Sequence, residues 1–243
     1  MEREIVLEGD EIEVLDVGAF VTDPEAEADV WLAGKVLAHH TVSATMFKAT
    51  MLDLWATRNC VEIRHAGHNL FTFRFSTTKD RDLVWKSGPW FFNRCMIPLN
   101  LYDIKGDPAR VVLDKVPCWI RAYQLPKAGR SEAMAKALGN SFAGYIDWDR
   151  SEANKYGSFF QFRAWIKVDT PLKRGKMLAA SGAPFKVTFT YEKLWNFCYR
   201  CGCLNHVERF CTLEQLPPPL PFGPWLRAEK DRTYWPRKTG QVR

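Results

Sequence analysis

The sequence predicts an α+β protein: a β-α-β-β-α-β module, a second module of similar order, and a short loop rich in cysteine and histidine. Three observations carry this. Between 29 and 105 the apolar spacing alternates between the period of a strand and that of a helix in that order. A similar succession runs from 112 to 192. Cys198, Cys201, His206 and Cys211 then crowd into fourteen residues. Hydrophobic content of 47% with 14% aromatics is that of a globular chain, and 243 residues suffice for one large domain or two small ones.

Residues 1–28 are acidic with scattered apolar positions and are expected to form a flexible arm, with a short strand at 5–7 or 12–15. The run VWLAGKVLA at 30–38 reads as a buried strand. Ser43 is a candidate N-cap, and Phe47, Met51, Leu54 and Trp55 recur at helical spacing behind it. Strands at 60–65 and 69–75 flank Ala66-Gly67-His68, a hairpin signal. Thr77 and Asp80 have the spacing of a capping box. The helix they open runs through Trp85 and stops at Gly88-Pro89. Residues 90–102 are apolar and extended. This order is that of the ferredoxin-like arrangement and of the RNA recognition motif.

In the second module, 116–125 reads as a strand. Ser131 caps a short helix with Met134, Ala137 and Leu138 on one face. Strands at 142–148 and 158–169 are joined by the polar turn RSEANKYG. Residues 172–178 read as a short basic helix, and 185–191 alternate cleanly as a strand. Beyond the cysteine loop, 216–224 is proline-rich and 225–243 is a basic tail with Trp225, Tyr234 and Trp235. The expected division is therefore an arm at 1–28, modules at 29–105 and 112–192, the loop at 193–213, and a tail at 214–243.

The loop reads CYRCGCLNHVERFC, which is C-x2-C-x4-H-x4-C. Three thiolates and one imidazole at this spacing close a tetrahedral zinc site with no open position for water, so the metal is structural. The spacing is that of the zinc knuckle, an RNA-binding module. Gly202 follows the second cysteine, as in other knuckles. Asn205 stands before the histidine where glycine is usual, and it tolerates a left-handed turn. Tyr199 and Val207 are candidates for a small platform under one base, with Lys193, Arg200 and Arg209 placed for phosphates; packing within the knuckle is the other reading of Tyr199 and Val207. Cys203 lies outside the pattern. Because 30–192 hold nearly all the periodic apolar residues, the body is expected to fold without the knuckle.

The net charge of +6 hides an asymmetry. Residues 1–29 carry eleven carboxylates against Arg3, so the rest of the chain is strongly basic and suits a polyanionic partner. Seven cysteines, an odd number, with four in the zinc loop, point to a reducing intracellular compartment, nucleus or cytoplasm. Neither a secretory signal nor a membrane-length apolar run is visible. Cys60, Cys95 and Cys118 are expected in or near the core. In the strand NLFTFRF, alternation points Phe71, Phe73 and Phe75 at the helices. Leu70, Thr72 and Arg74 then face outward, so this sheet is expected not to stack bases.

Four further stretches complete the pattern: VEIRHAGHNLFTFRFSTTKDRDLVWKSGPWFFNRCMIPL, VPCWIRAYQLP, TPLKRGKML, and FTYEKLWNFCYRCGCLNHVERFC with FGPWLRA after it. Through them, Val30 to Arg227 resembles a plant family related to non-LTR retrotransposon reading frames. Its members carry a domain of unknown function, number 4283, followed by a CCHC zinc knuckle. The resemblance implies a zinc- and nucleic-acid-binding protein analogous to a retroelement's nucleic-acid-coating protein, with zinc on Cys198, Cys201, His206 and Cys211. Single-stranded RNA or DNA is the expected partner, with self-association as a further possibility and no membrane. A protein–protein assembly module with a purely structural zinc staple is the competing reading. An enzyme is not expected. The site is coordinatively closed, no glycine-rich phosphate loop is present, His39, His40, His65 and His68 lack a partner set, and Asp147, Asp149 and Glu152 read as a solvated acidic turn.

Overall fold

The structure is a computed structural model and describes residues 12, 14, 30–55, 61–180, 182–214 and 219–228. The expected acidic arm (apart from Ile12 and Val14), Cys60 and the tail beyond 228 lie outside the described residues. The architecture is mixed α+β with antiparallel sheets and few helices. Among the described residues, no helix is long and apolar enough to cross a membrane.

The first sheet contains β1 (Trp31–Lys35), β2 (Glu62–His65), β3 (Leu70–Arg74) and β6 (Leu99–Leu101), in the order β2-β3-β1-β6. Helix α1 (Ala44–Trp55) starts where the Met46 N–H reaches the Ser43 hydroxyl at 3.4 Å. Its buried stripe is Phe47, Met51 and Trp55. Leu54, expected on that face, is 47% exposed, because the buried stripe centres on Met51 and Leu54 lies at its edge. The β2–β3 hairpin turns through Gly67, His68 and Asn69, whose φ values of 91°, 43° and 63° are all left-handed. Asn69 accepts this strain because its side chain is fully used. Its Oδ1 accepts the Val42 N–H at 2.9 Å, and its Nδ2 donates to the His40 carbonyl at 2.8 Å.

Helix α2 (Thr78–Ser87) is capped by Thr77, whose hydroxyl accepts the Asp80 N–H at 3.1 Å. The apolar stretch after it is three short strands rather than one. β4 (Trp90–Phe92) and β5 (Cys95–Ile97) form a hairpin around Asn93-Arg94, both with positive φ, and β6 then joins the first sheet.

The register places Phe71 and Phe73 with Leu32 and Gly34 on the helix-facing side. Phe71, Phe73 and Phe75 are buried in one core cluster with Phe47, Trp55 and Phe92. The opposite face was expected to be open, but Thr72 and Leu70 are only 6% and 7% exposed and Trp31 only 3%. The chain's own continuation covers it. Asn100 donates to the Val112 carbonyl at 3.0 Å. Tyr102 meets Trp31 edge-on and donates to the Gly106 carbonyl. The turn Pro108–Arg110 lies against β3, while Arg64 and Arg74 sit over the Trp31 ring.

The second sheet has five strands, β10-β11-β7-β9-β8, with β7 (Lys115–Tyr123), β8 (Tyr145–Trp148), β9 (Phe159–Lys167), β10 (Gly175–Ala180) and β11 (Ala183–Tyr191). Helix α3 (Glu132–Asn140) is capped by Ser131 and buries Ala135, Leu138 and Gly139; Ala137, expected on that face, is exposed. The polar turn expected after β8 contains a short helix, α4 (Glu152–Tyr156). The basic helix expected at 172–178 is absent. Strand β10 takes its place, paired with β11 from Gly175↔Thr188 to Ala180↔Ala183. Gly175 would cost a helix interior roughly 1 kcal/mol, and the strand places it where a Cβ would stand 2.4 Å from the Val187 carbonyl oxygen.

A second core cluster joins Val116, Ile120, Phe160, Phe162, Val187, Phe189 and Tyr191. The two modules touch. Met96 belongs to the second cluster, the Trp85 and Trp165 rings lie 5.6 Å apart, and the Arg163 guanidinium donates to the Gly88 carbonyl. As expected, Cys118 is buried; Cys95 is partly so.

Candidate metal centre

The cysteine loop comes directly after β11. A tight turn brings the first pair together: the Gly202 N–H donates to the Cys198 carbonyl at 2.8 Å, and the Cys198 N–H to the Cys203 carbonyl at 2.9 Å. Gly202 has φ 77°, and a Cβ there would stand 2.5 Å from the Phe222 ring, so glycine is required twice over. The turn Glu208–Phe210 then returns Cys211. One ligand atom each from Cys198, Cys201, His206 and Cys211 lies within 4.8 Å of all the others. Tetrahedral zinc with bonds of about 2.3 Å puts its ligands ~3.8 Å apart, so a small contraction around an ion completes the site.

Asn205 acts differently from the expected left-handed turn, since its φ is not positive. Its Oδ1 lies 2.6 Å from His206 Nδ1, while His206 Nε2 faces Cys201 Sγ at 3.3 Å. A proton on Nδ1, held by Asn205, leaves the Nε2 lone pair for the metal. The Cys203 N–H points at Cys201 Sγ at 3.5 Å, while its own thiol donates to the Asp169 carbonyl. Cys203 therefore supports a ligand and anchors the loop, and is not itself in the ligand set.

Burial pushes the Cys198 thiol up to about 11 and raises Cys201. Burial acts on Cys211 in the same sense, but the Leu213 N–H and the neighbouring sulfurs outweigh it and bring this thiol below its ordinary value. Burial, with His39 nearby, lowers His206, which favours the neutral imidazole that a metal requires. The Cys198 and Cys201 thiols, which resist ionisation on their own, are donors whose thiolate forms a divalent cation would stabilise.

The loop is not a free appendage. Leu204 N–H donates to the Val168 carbonyl, and Leu172 N–H to the Gly202 carbonyl. Phe197, Leu204 and Leu226 are 1%, 5% and 2% exposed within the second core cluster, and Cys198 is fully buried. This corrects the expectation that the knuckle contributes little core. His39 of the first module is an exposed loop residue, and its ring stacks on Phe210 at 3.6 Å. Sequence reading missed that contact, because no local pattern links residues so far apart.

The expected nucleic-acid residues are distributed unevenly. Lys193 and Arg209 are exposed, and the Arg209 guanidinium sits over Phe210 at 4.5 Å. Arg200 and Val207 are half-buried. Tyr199 is half-buried against the second core, with Phe197 edge-on at 4.9 Å and Arg227 over its ring at 5.7 Å.

Residues 29–108 match the family described as domain of unknown function DUF4283, and 167–213 match the zinc knuckle family. The chain thus carries the two domains in the order that the sequence resemblance implied. The knuckle match begins at the end of β9, well before the first cysteine, in agreement with the packing of the loop on that sheet. No curated protein and no solved structure matches the chain.

Proposed function

We propose that this chain is a zinc-dependent, non-enzymatic protein that binds single-stranded nucleic acid, in the manner of the coating protein of a plant non-LTR retrotransposon. The convergence of four ligand atoms within a zinc knuckle carries this reading. Zinc held by Cys198, Cys201, His206 and Cys211 would close the knuckle loop on itself, and the packing of that loop on the second core would tie it to the sheet. Phosphates would meet Lys193, Arg200 and Arg209, beside Tyr199 and Val207. The strand order β6-β1-β3-β2 supports a ferredoxin-like reading of the first module, and two core clusters support modules at 29–105 and 112–192. The purely structural staple is favoured by one observation: the Tyr199 ring is packed rather than offered.

A titration of zinc-loaded protein against labelled single- and double-stranded RNA and DNA tests the proposal. Single strands should bind best, with affinity falling steeply as salt rises. Absence of binding at low salt with zinc in place leaves the assembly reading.

A further inference from the structure

The second sheet presents a face that the first sheet does not. Its register sorts the residues of β7, β9 and β11 into two sides. Val116, Cys118, Ile120 and Ala122 point into the core with Phe160, Phe162 and Phe189. Trp119, Arg121 and Tyr123 point the other way, beside Phe159, Gln161 and Thr188.

The near end of this outer face is closed by the first module. There Gly88 meets Pro117 and the Arg163 guanidinium, and Trp85 meets Trp165. The far end is different. Tyr123 and Phe159 are register partners on the two central strands, both partly exposed, with ring centres 5.8 Å apart. Arg121 lies under Phe159 at 4.3 Å and is held by Glu192 at 2.8 Å, while Glu192 also accepts from Gln161. That guanidinium occupies one side of the Phe159 ring and fixes its orientation. Thr188 and Gln124 flank Tyr123, and Lys186 is exposed two residues before Thr188 on the same face.

We propose that this end of the second sheet, centred on Tyr123 and Phe159, is a base-stacking platform for single-stranded nucleic acid. Partly exposed rings on two adjacent central strands, set edge to face with planes at 60°, each offer a π-surface on which an unpaired base stacks. The exposed Lys186 and the strongly basic body favour a polyanion over an apolar peptide. This deepens the function proposed above and rests on it, but relocates the base contact away from Tyr199.

The test uses the zinc-loaded full chain, fluorescence anisotropy with labelled single-stranded RNA and DNA, and photocross-linking of bromouridine-substituted RNA. Tyr123→Leu and Phe159→Leu keep apolar cover while removing the aromatic face. Each should weaken binding about tenfold, with zinc content and melting unchanged, and cross-links should map to these two residues. Wild-type binding with unaffected variants and cross-links at the knuckle overturns the platform but keeps the functional reading. Failure of the wild type to bind any single strand overturns both. Variants that abolish a dimer without touching RNA affinity assign the face to a second copy of the chain and also overturn the proposal.

Discussion

The two sheets of this molecule are built alike and end differently. Each is antiparallel, carries a helix on one side, and buries a ladder of phenylalanines there: Phe71 and Phe73 in the first, Phe160 and Phe162 in the second. On the first sheet, the chain leaving β6 turns back across the outer face, and Trp31 disappears beneath it. On the second, the chain leaving β11 enters the metal loop instead, and Tyr123 and Phe159 stay partly open. Strand alternation decides which residues share a face. The path of the chain beyond the last strand decides whether that face meets solvent.

The largest difference should emerge on metal removal. The knuckle is part of the second core, and structural zinc is worth on the order of 10 kcal/mol in isolated fingers. A chelator, or Cys198→Ser, should melt the second sheet and strip hydrogen-exchange protection from β9 and β11, while β1 and β3 keep theirs. Loss of protection in both sheets together would mean that the modules act as one cooperative unit. Acid should act in the same direction. The zinc-bound state carries fewer protons than the free thiols, and burial raises Cys198 to about 11, so affinity falls as pH falls through the range below it. Zinc release monitored by a chromogenic chelator across a pH series measures this.

Asn69→Ala should destabilise the first sheet by roughly 2–3 kcal/mol. It strips a buried N–H and carbonyl of their partners and leaves alanine at φ 63°. Denaturant unfolding reads the loss, and exchange in β9 should be unaffected if the sheets are separable.

The smallest effects are expected at the helix caps. Thr77→Ala and Ser131→Ala remove the hydroxyls that accept the Asp80 and Met134 N–H groups, and each should cost about 1 kcal/mol. Exchange in α2 should rise for the first variant and in α3 for the second, which sharpens the separation of the two regions.

The sequence by itself determined whatever depends on neighbours in the chain. The zinc ligands were legible because fourteen residues of one loop supply all four. The caps at Ser43, Thr77 and Ser131 were legible because each is a three-residue interaction. Phe71, Phe73 and Phe75 were legible because a strand alternates. Only the tertiary structure decided the rest. Residues 175–180 became an edge strand, in place of a helix at 172–178, because β11 was there to pair with them. The outer face of the first sheet was lost to residues beyond β6. Tyr199 turned inward and the knuckle joined the second core through contacts with Val168, Leu172 and Arg227. These outcomes depend on which distant surfaces meet, and the free energy of such contacts appears only once the chain has closed on itself.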